Sequence, residues 1–275
     1  MIRKMILCAL CLCLVFAAGC ALSGENQPAI DASNLEGRRI GVGIAWSEDY
    51  VLSDTSDAEL FRYQDLGTML LALKSGHIDA IGLNDIAAKH VQATMPALQI
   101  SEQPAGDDSL VAFFANGRET LVGDFNQFIQ EFRETEEYKD ILYRCNHLNN
   151  GVYESKEVLT DGDVGTISMV AEQVYPYIYW DFEKNKAAGS DVEFAQHFAK
   201  AAGYNLEIQI LNYETAVLQI AYGQADMLMC ALSNYFRSEV ELNQLALVSE
   251  PYMDVPIMLV TVGKEPLGSV PDELS

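Results

Sequence analysis

Two stretches of the chain share one hydrophobic pattern. Residues 69–83 read MLLALKSGHIDAIGL, and residues 216–230 read AVLQIAYGQADMLMC. Each is an apolar run of helical length, a Gly, two residues, an Asp and a second apolar run. A Gly at that point suits a helix C-terminus, where the backbone turns through positive φ. The uninterrupted apolar run after the Asp suits a strand buried on both faces of a parallel sheet. The recurrence predicts two α/β lobes built alike.

The pattern around each repeat extends this prediction. The first unit runs as a strand over 39–45, a loop, a short strand over 59–63, a helix over 64–75, a strand over 78–83 and a helix over 85–93. The second runs as a strand over 165–171, an aromatic loop, a helix over 190–202, a strand over 205–210, a helix over 213–222, a strand over 225–231, a loop and a strand over 256–262. Strands alternating with helices imply mainly parallel sheets with helices on both faces. Between the units, Leu121, Phe125, Phe128, Ile129 and Phe132 recur at helical spacing, and Tyr138, Ile141 and Leu142 resume it. This predicts two helices with a break near Glu134 to Glu137. Residues 146–164 are polar and rich in Gly and Asn, the composition of a linker.

Composition changes this picture at the N-terminus and in one class of partner. Arg3 and Lys4 precede an apolar run from Met5 to Phe16, followed by Ala17-Ala18-Gly19-Cys20. That order is a targeting segment with small residues at its cleavage site. The Cys directly after Ala-Ala-Gly resembles the bacterial lipobox, in which that Cys is lipid-modified. An ordinary signal peptide or a short anchor is the alternative, although the run is too short to span a bilayer comfortably. Residues 21–33 are polar with Gly and Pro and suit a flexible tether. Past Cys20 only Cys145 and Cys230 remain, each in an apolar context. Buried thiols are the expectation there, and pairing is the alternative. The formal charge of -23 argues against a nucleic-acid partner, which requires clustered Lys and Arg.

In series, several segments resemble the bacterial extracellular solute-binding proteins of family 3, the polar amino-acid type of ABC-importer receptor. Part of the resemblance lies in VYPYIYW, GSDVEFAQHFAKAAGYNLEIQILNYETAVLQIAYGQADM and SEPYMDVPIMLVTV, which match the family's first lobe. Part lies in NLEGRRIGVG, LLALKSGHIDAIGLND and AAKHV, which match its second lobe, and FNQFIQEFRETEEYKDI resembles its C-terminal helices. The order differs from the family's, because second-lobe segments come first here. That order implies a circular permutation, or a slice of a tandem array. It implies a fold of two Rossmann-like α/β lobes, the type II periplasmic-binding-protein fold, with a ligand cleft between them. The division expected is a signal over 1–20, a tether over 21–33, the second lobe over 34–103, the first lobe over 104–263 and a tail over 264–275. Only one crossing between lobes, near 101–112, should then remain, with both termini near the hinge.

The resemblance also implies ligand-binding positions. Arg237 is the available carboxylate clamp, one residue early relative to the family spacing, and a surface arginine is the alternative. Ser233 matches a hydroxyl position. Tyr213, Tyr175 and Tyr177 fall at or near aromatic positions of the cleft, with packing in the core as the alternative for all three; Tyr213 and Tyr175 are the two expected in the cleft, and Trp180 is expected to be structural. Asp191 opens a helix and is expected to cap it. In the second lobe, Trp46 and Ser47 fall in the loop after the first strand, and Asn84 stands where the family carries an aspartate, with Asp85 beside it. Trp46 can stack on a ligand opposite Tyr213, plug the cleft or pack beneath its own loop.

The expectation is therefore a lipid-anchored solute-binding protein outside a bacterial membrane. It would capture a small polar solute, an amino acid or a related molecule, for an ABC permease. No cofactor, metal or catalytic residue is expected, since His77, His90, His147 and His197 lack metal-ligand spacing. A sensing or scaffolding lipoprotein with a degenerate pocket is a second reading. A lyase or dehydratase of the same fold is a third.

Overall fold

The computed structural model describes residues 30–149 and 151–263. The leader, Cys20, most of the tether and the tail 264–275 lie outside the described residues.

The chain begins with β1 (Arg39–Gly43), α1 (Ser47–Thr55), β2 (Glu59–Tyr63), α2 (Leu66–Lys74), β3 (Ala80–Asn84), α3 (Asp85–Thr94) and β4 (Leu98–Ile100). It continues with β5 (Ser109–Phe114), α4 (Glu119–Phe132), α5 (Glu136–Asn146), β6 (Gly165–Ala171), β7 (Tyr179–Asp181), β8 (Lys186–Ala188), α6 (Ser190–Ala202) and β9 (Tyr204–Ile210). It ends with α7 (Tyr213–Ala221), β10 (Met227–Ser233), a 3-10 turn (Asn234–Phe236), α8 (Arg237–Leu242), β11 (Leu247–Val248), β12 (Met253–Asp254) and β13 (Ile257–Val262). The break between α4 and α5 falls at Thr135, whose hydroxyl accepts from the Tyr138 amide and so starts the second helix.

Two mixed sheets result, and they share one plan. In the small lobe the order is β2-β1-β3-β13-β4, and in the large lobe it is β9-β6-β10-β5-β11. Each has three parallel strands in the order second, first, third, then an antiparallel strand that arrives from the other lobe. The repeated Gly-x-x-Asp pattern thus marks the same place in both lobes, the turn into the third parallel strand.

This exchange of strands overturns two expectations. The strand over 256–262 belongs to the small lobe, where Met258 faces Leu83 and Thr261 faces Gln99. An apolar strand has the same pattern whichever sheet it joins, so its sequence does not reveal its partner. The chain accordingly crosses between lobes twice, at 101–108 and at 254–257, not once. The two crossings pair with each other: Ala105 donates to Ile257 O at 2.7 Å and Ile257 donates to Gly106 O at 2.8 Å. A Cβ on Gly106 would lie 2.6 Å from Cγ1 of Val51, so this hinge bridge requires a glycine.

The termini lie outside the described residues, but the strand ends that lead to them lie away from the hinge. β13 starts beside Asn84 at the lobe junction and ends beside Leu98 at the far side of the small lobe. β1 starts at that same far side. The chain therefore enters β1 and leaves β13 away from the hinge. Only β3 stands between the two strands, a separation of about 10 Å.

The large lobe holds the larger core. Phe125 of α4 meets Phe198 of α6 edge-on at 5.0 Å, and Phe194 packs against Tyr252 at 5.2 Å. Both Phe125 and Phe194 are fully buried, and each such ring contributes about 2–3 kcal/mol of burial. Cys145 and Cys230 are free and buried, and burial pushes both thiols up to about 12. The polar segment after α5 is not a free linker. Arg144 forms a two-pronged pair with Glu193 at 2.8 and 2.6 Å, and Glu193 also accepts from the Tyr153 hydroxyl and the Lys156 amide. This clamp fastens the strap to α5 and α6.

Candidate functional site between the lobes

In both lobes the parallel strands point their C-terminal ends at the other lobe. Loops and helix starts there meet along a polar seam, where open α/β sheets place ligands. At the small-lobe side, Ala45 adopts φ +62° and turns β1 into α1. Ser47 and Glu48 open that helix. Glu48 is buried and its carboxylate accepts from the Asn84 amide at 2.9 Å. Asn84 caps α3 through Ala87 N at 2.9 Å, and the same oxygen accepts from the Tyr177 hydroxyl of the large lobe at 2.9 Å.

Asp108, in the first crossing, joins the two sides. Its carboxylate accepts from Ser233 Oγ at 2.8 Å, from the Ser109 amide at 2.8 Å, and from the Ser47 hydroxyl. Burial pushes the carboxyls of Glu48 and Asp108 above the usual range, and the charge of Asp108 adds to the rise at Glu48. Among the described residues no Lys or Arg bonds either group. The seam centre is thus an acidic site whose ionised form lacks a counter-charge.

Further contacts flank this centre. Tyr235 donates to Asp54 at 2.7 Å, and the Tyr50 ring stacks on Tyr235 at 5.5 Å and meets Phe236 edge-on at 5.3 Å. On the other side Lys89 bonds Asn146, and the His90 ring lies 4.8 Å from Tyr175.

The seam unites Ser47, Asn84 and Ser233 among the positions implied by the resemblance. Asp85 lies beside them, with one oxygen on Lys89 at 2.8 Å and the other buried without a partner. Tyr175 reaches the seam with its ring, but its hydroxyl is held in the strap by Gly151 O and Tyr153 N. Arg237 does not present a free fork to the seam. Its guanidinium is bonded to Asn234, Glu241 and the carbonyls of Val248 and Ser249, which lie within its reach in the large lobe. Trp46 folds back onto its own strand, since a Cβ on Gly43 would lie 2.0 Å from its ring. Among the described residues it makes no ring contact with Tyr213. Tyr213 lines a separate pocket of the large lobe.

Asp191 does not cap α6, whose N-cap residue is Gly189. It is fully buried, and its carboxylate accepts from Ala231 N at 2.8 Å and from the Tyr252 hydroxyl at 2.8 Å. Ala231 sits at φ +55° within β10, and the register of β10 against β5 shifts there. Asp191 thereby supports the irregular strand end that delivers Ser233. Burial raises its carboxyl to about 7, against the two hydrogen bonds it accepts.

Asp108 and Tyr235 were not expected at the seam, and Tyr177 was weighed for the cleft but not favoured. Asp108 lies in a crossing loop with no motif. Tyr235 lies in the 3-10 turn directly after β10, and that strand end was the available signal. Among the described residues no group of three or more His, Cys, Asp and Glu is arranged to hold a metal ion. No described helix is long and apolar enough to cross a membrane.

Two α/β lobes of one plan, each completed by a strand from the other stretch of chain, with strand ends converging on a polar seam, define a type II periplasmic-binding-protein architecture. Residues 167–267 match the family model of the bacterial extracellular solute-binding proteins, family 3. A probable histidine-binding protein of Campylobacter jejuni is 29% identical over 123 residues, 44% of this chain and 48% of that protein. The chain thus matches about half the length of that relative. Among solved structures, an ancestral cationic amino acid solute-binding protein aligns with TM-score 0.43 and 10% identity over 86% of each chain. The L-cystine receptor of Neisseria gonorrhoeae, unliganded and open, aligns with TM-score 0.40 and 12% identity over 85% of this chain and 82% of that one.

Proposed function

We propose that this protein is an extracytoplasmic solute-binding protein that captures an amino acid or a related small molecule between its lobes for an ABC permease. Lipid on Cys20 would hold it at the outer face of a bacterial membrane. The observation that carries the reading is the seam, where both sets of strand ends bring polar groups to one buried, acidic centre. The family match of the large-lobe segment supports it, and members of that family are mostly binding proteins rather than enzymes. Glu48 and Asp108 without a cation, and Arg237 already engaged, favour a solute that leads with a positive charge. A histidine-like or other cationic amino acid fits that chemistry, in keeping with the name of the Campylobacter relative.

A thermal-shift screen tests this, because a ligand of the native state alone raises its stability. Histidine, arginine, lysine and ornithine should raise the melting temperature, and glutamate should not. A best response to acidic amino acids would overturn the charge reading. No response to any amino acid would favour a second reading, a sensing or scaffolding lipoprotein. That reading draws on the direct lobe-to-lobe bonds Tyr177–Asn84 and Tyr235–Asp54. Trp46 emission should respond only indirectly, through its loop. Recovery of a Cys20→Ala variant in the soluble fraction would support the anchor.

The lobe order is best accounted for by circular permutation. The start of β1 and the end of β13 lie at one side of one sheet, a geometry that tolerates such a cut.

A further inference from the structure

Behind the seam, the large lobe contains a pocket of about 460 Å³. None of Ser47, Glu48, Asn84, Asp108 or Ser233 lines it. Its walls are apolar, with Phe113 and Leu228 from the sheet, Val217 from α7, Val240 from α8, and Phe236 and Leu245 at the ends of α8. Such a volume with apolar walls suits a small organic molecule. The remaining lining differs in kind. Tyr213, Glu214 and Glu239 also face the pocket, all three exposed to solvent. Among the described residues neither carboxylate has an ion-pair partner. One wall, Phe236, also meets Tyr50 of the small lobe, so the pocket abuts the seam without opening into its polar centre.

We propose that this pocket is a second ligand site that takes a small amphiphilic amine. The apolar body fills the space between α7 and α8, and the ammonium sits at the mouth between Glu214 and Glu239. An anion of the same body would meet two like charges, and a neutral analogue would gain the walls alone. The site is independent of solute capture at the seam, and its test does not use an amino acid.

Methyl-labelled full-length chain, titrated with 2-phenylethylamine, 2-phenylethanol and phenylacetate, tests the site by NMR. The amine should shift the methyl signals of Val217, Leu218, Val240 and Leu245. It should bind about two- to five-fold more tightly than the alcohol for each carboxylate engaged, because exposed charge pairs are individually weak. Phenylacetate should bind least. The double variant Glu214→Gln, Glu239→Gln alters two exposed side chains, so it should fold and should erase the advantage of the amine over the alcohol. Val217→Trp should fill the pocket and abolish the shifts for all three probes. An amine that leaves these methyls unmoved would overturn the proposal. So would an amine no better than the alcohol, or an advantage that survives the double variant.

Discussion

Asp191 offers a direct test of how burial shapes this protein. Its carboxyl is fully buried, accepts two hydrogen bonds and is raised from 3.8 to about 7. The folded state therefore holds its proton more tightly than the unfolded chain does. Stability from this group is greatest below the unfolded value near 3.8 and is lost as pH rises through about 7. The full displacement corresponds to at most about 4 kcal/mol. Asp191→Asn removes the titration while keeping an oxygen for the Ala231 amide. The amide group must then donate to Tyr252, so the variant carries a constant cost of about 1 kcal/mol. Chemical denaturation of both proteins should be followed between pH 5 and pH 8. Over that interval the difference should move by about 2–3 kcal/mol in favour of the variant. Glu48 and Asp108 titrate in the same sense, but they are common to both proteins and cancel in the difference. A difference that stays constant with pH, or that turns against Asn as pH rises, would refute the reasoning.

Other contacts make separate expectations. Tyr177→Phe removes the bond to Asn84 across the seam; it should cost about 1 kcal/mol and raise the radius of gyration in small-angle scattering, and an unchanged radius would mean that the bond does not hold the lobes together. Arg144→Met leaves Glu193 buried and unpaired, with 1% of its side chain exposed. It should cost about 3–5 kcal/mol in urea denaturation, and a loss below about 1 kcal/mol would show that the strap is not held by this pair. Gly106→Val forces a side chain against Val51 at the hinge and should cost about 1–3 kcal/mol, measured the same way, with no loss counting against the close approach. Cationic-solute affinity measured by calorimetry should weaken as pH falls. Burial raises the Glu48 and Asp108 carboxyls, so their charge is lost above the usual carboxylate range; a flat profile down to about pH 4 would remove them from the site.

The elements were largely legible because their burial is simple. A parallel strand covered on both faces must be apolar throughout, and the helices before Gly76 and Gly223 must stop where the backbone turns through positive φ. Helix α1 was less visible. Its sequence SEDYVLSDT has few apolar residues, and it buries Glu48 and Asp49 in its first turn. That turn suits carboxylates near the helix N-terminus. The partner of β13 was not legible, because Ile257, Leu259 and Val260 would be buried in either sheet. The polar seam was legible where it follows strand ends, at Ser47, Asn84 and Ser233. It was illegible where it depends on a crossing loop, as at Asp108. Arg237 shows the converse limit. Its position was found, but its five donors have carbonyls and side chains within reach in its own lobe, and sequence spacing carries no information on that competition.

The exchanged strands show what the circular permutation proposed above would leave unchanged. Lobe closure in such a fold is a rotation about the segments that cross between lobes. Here those segments are 101–108 and 254–257, tied to each other by the Ala105, Gly106 and Ile257 backbone bonds. The hinge is therefore a pair of adjacent segments, joined by the Gly106–Ile257 bridge, whichever lobe comes first in the chain. A cut between β13 and β1 falls at the opposite side of the small lobe, where the backbone takes no part in that rotation. It leaves both crossings intact, together with both sets of strand ends and the carboxylate of Asp108 between them. The order of segments can change while the distance from hinge to seam, which sets what the lobes can close upon, does not.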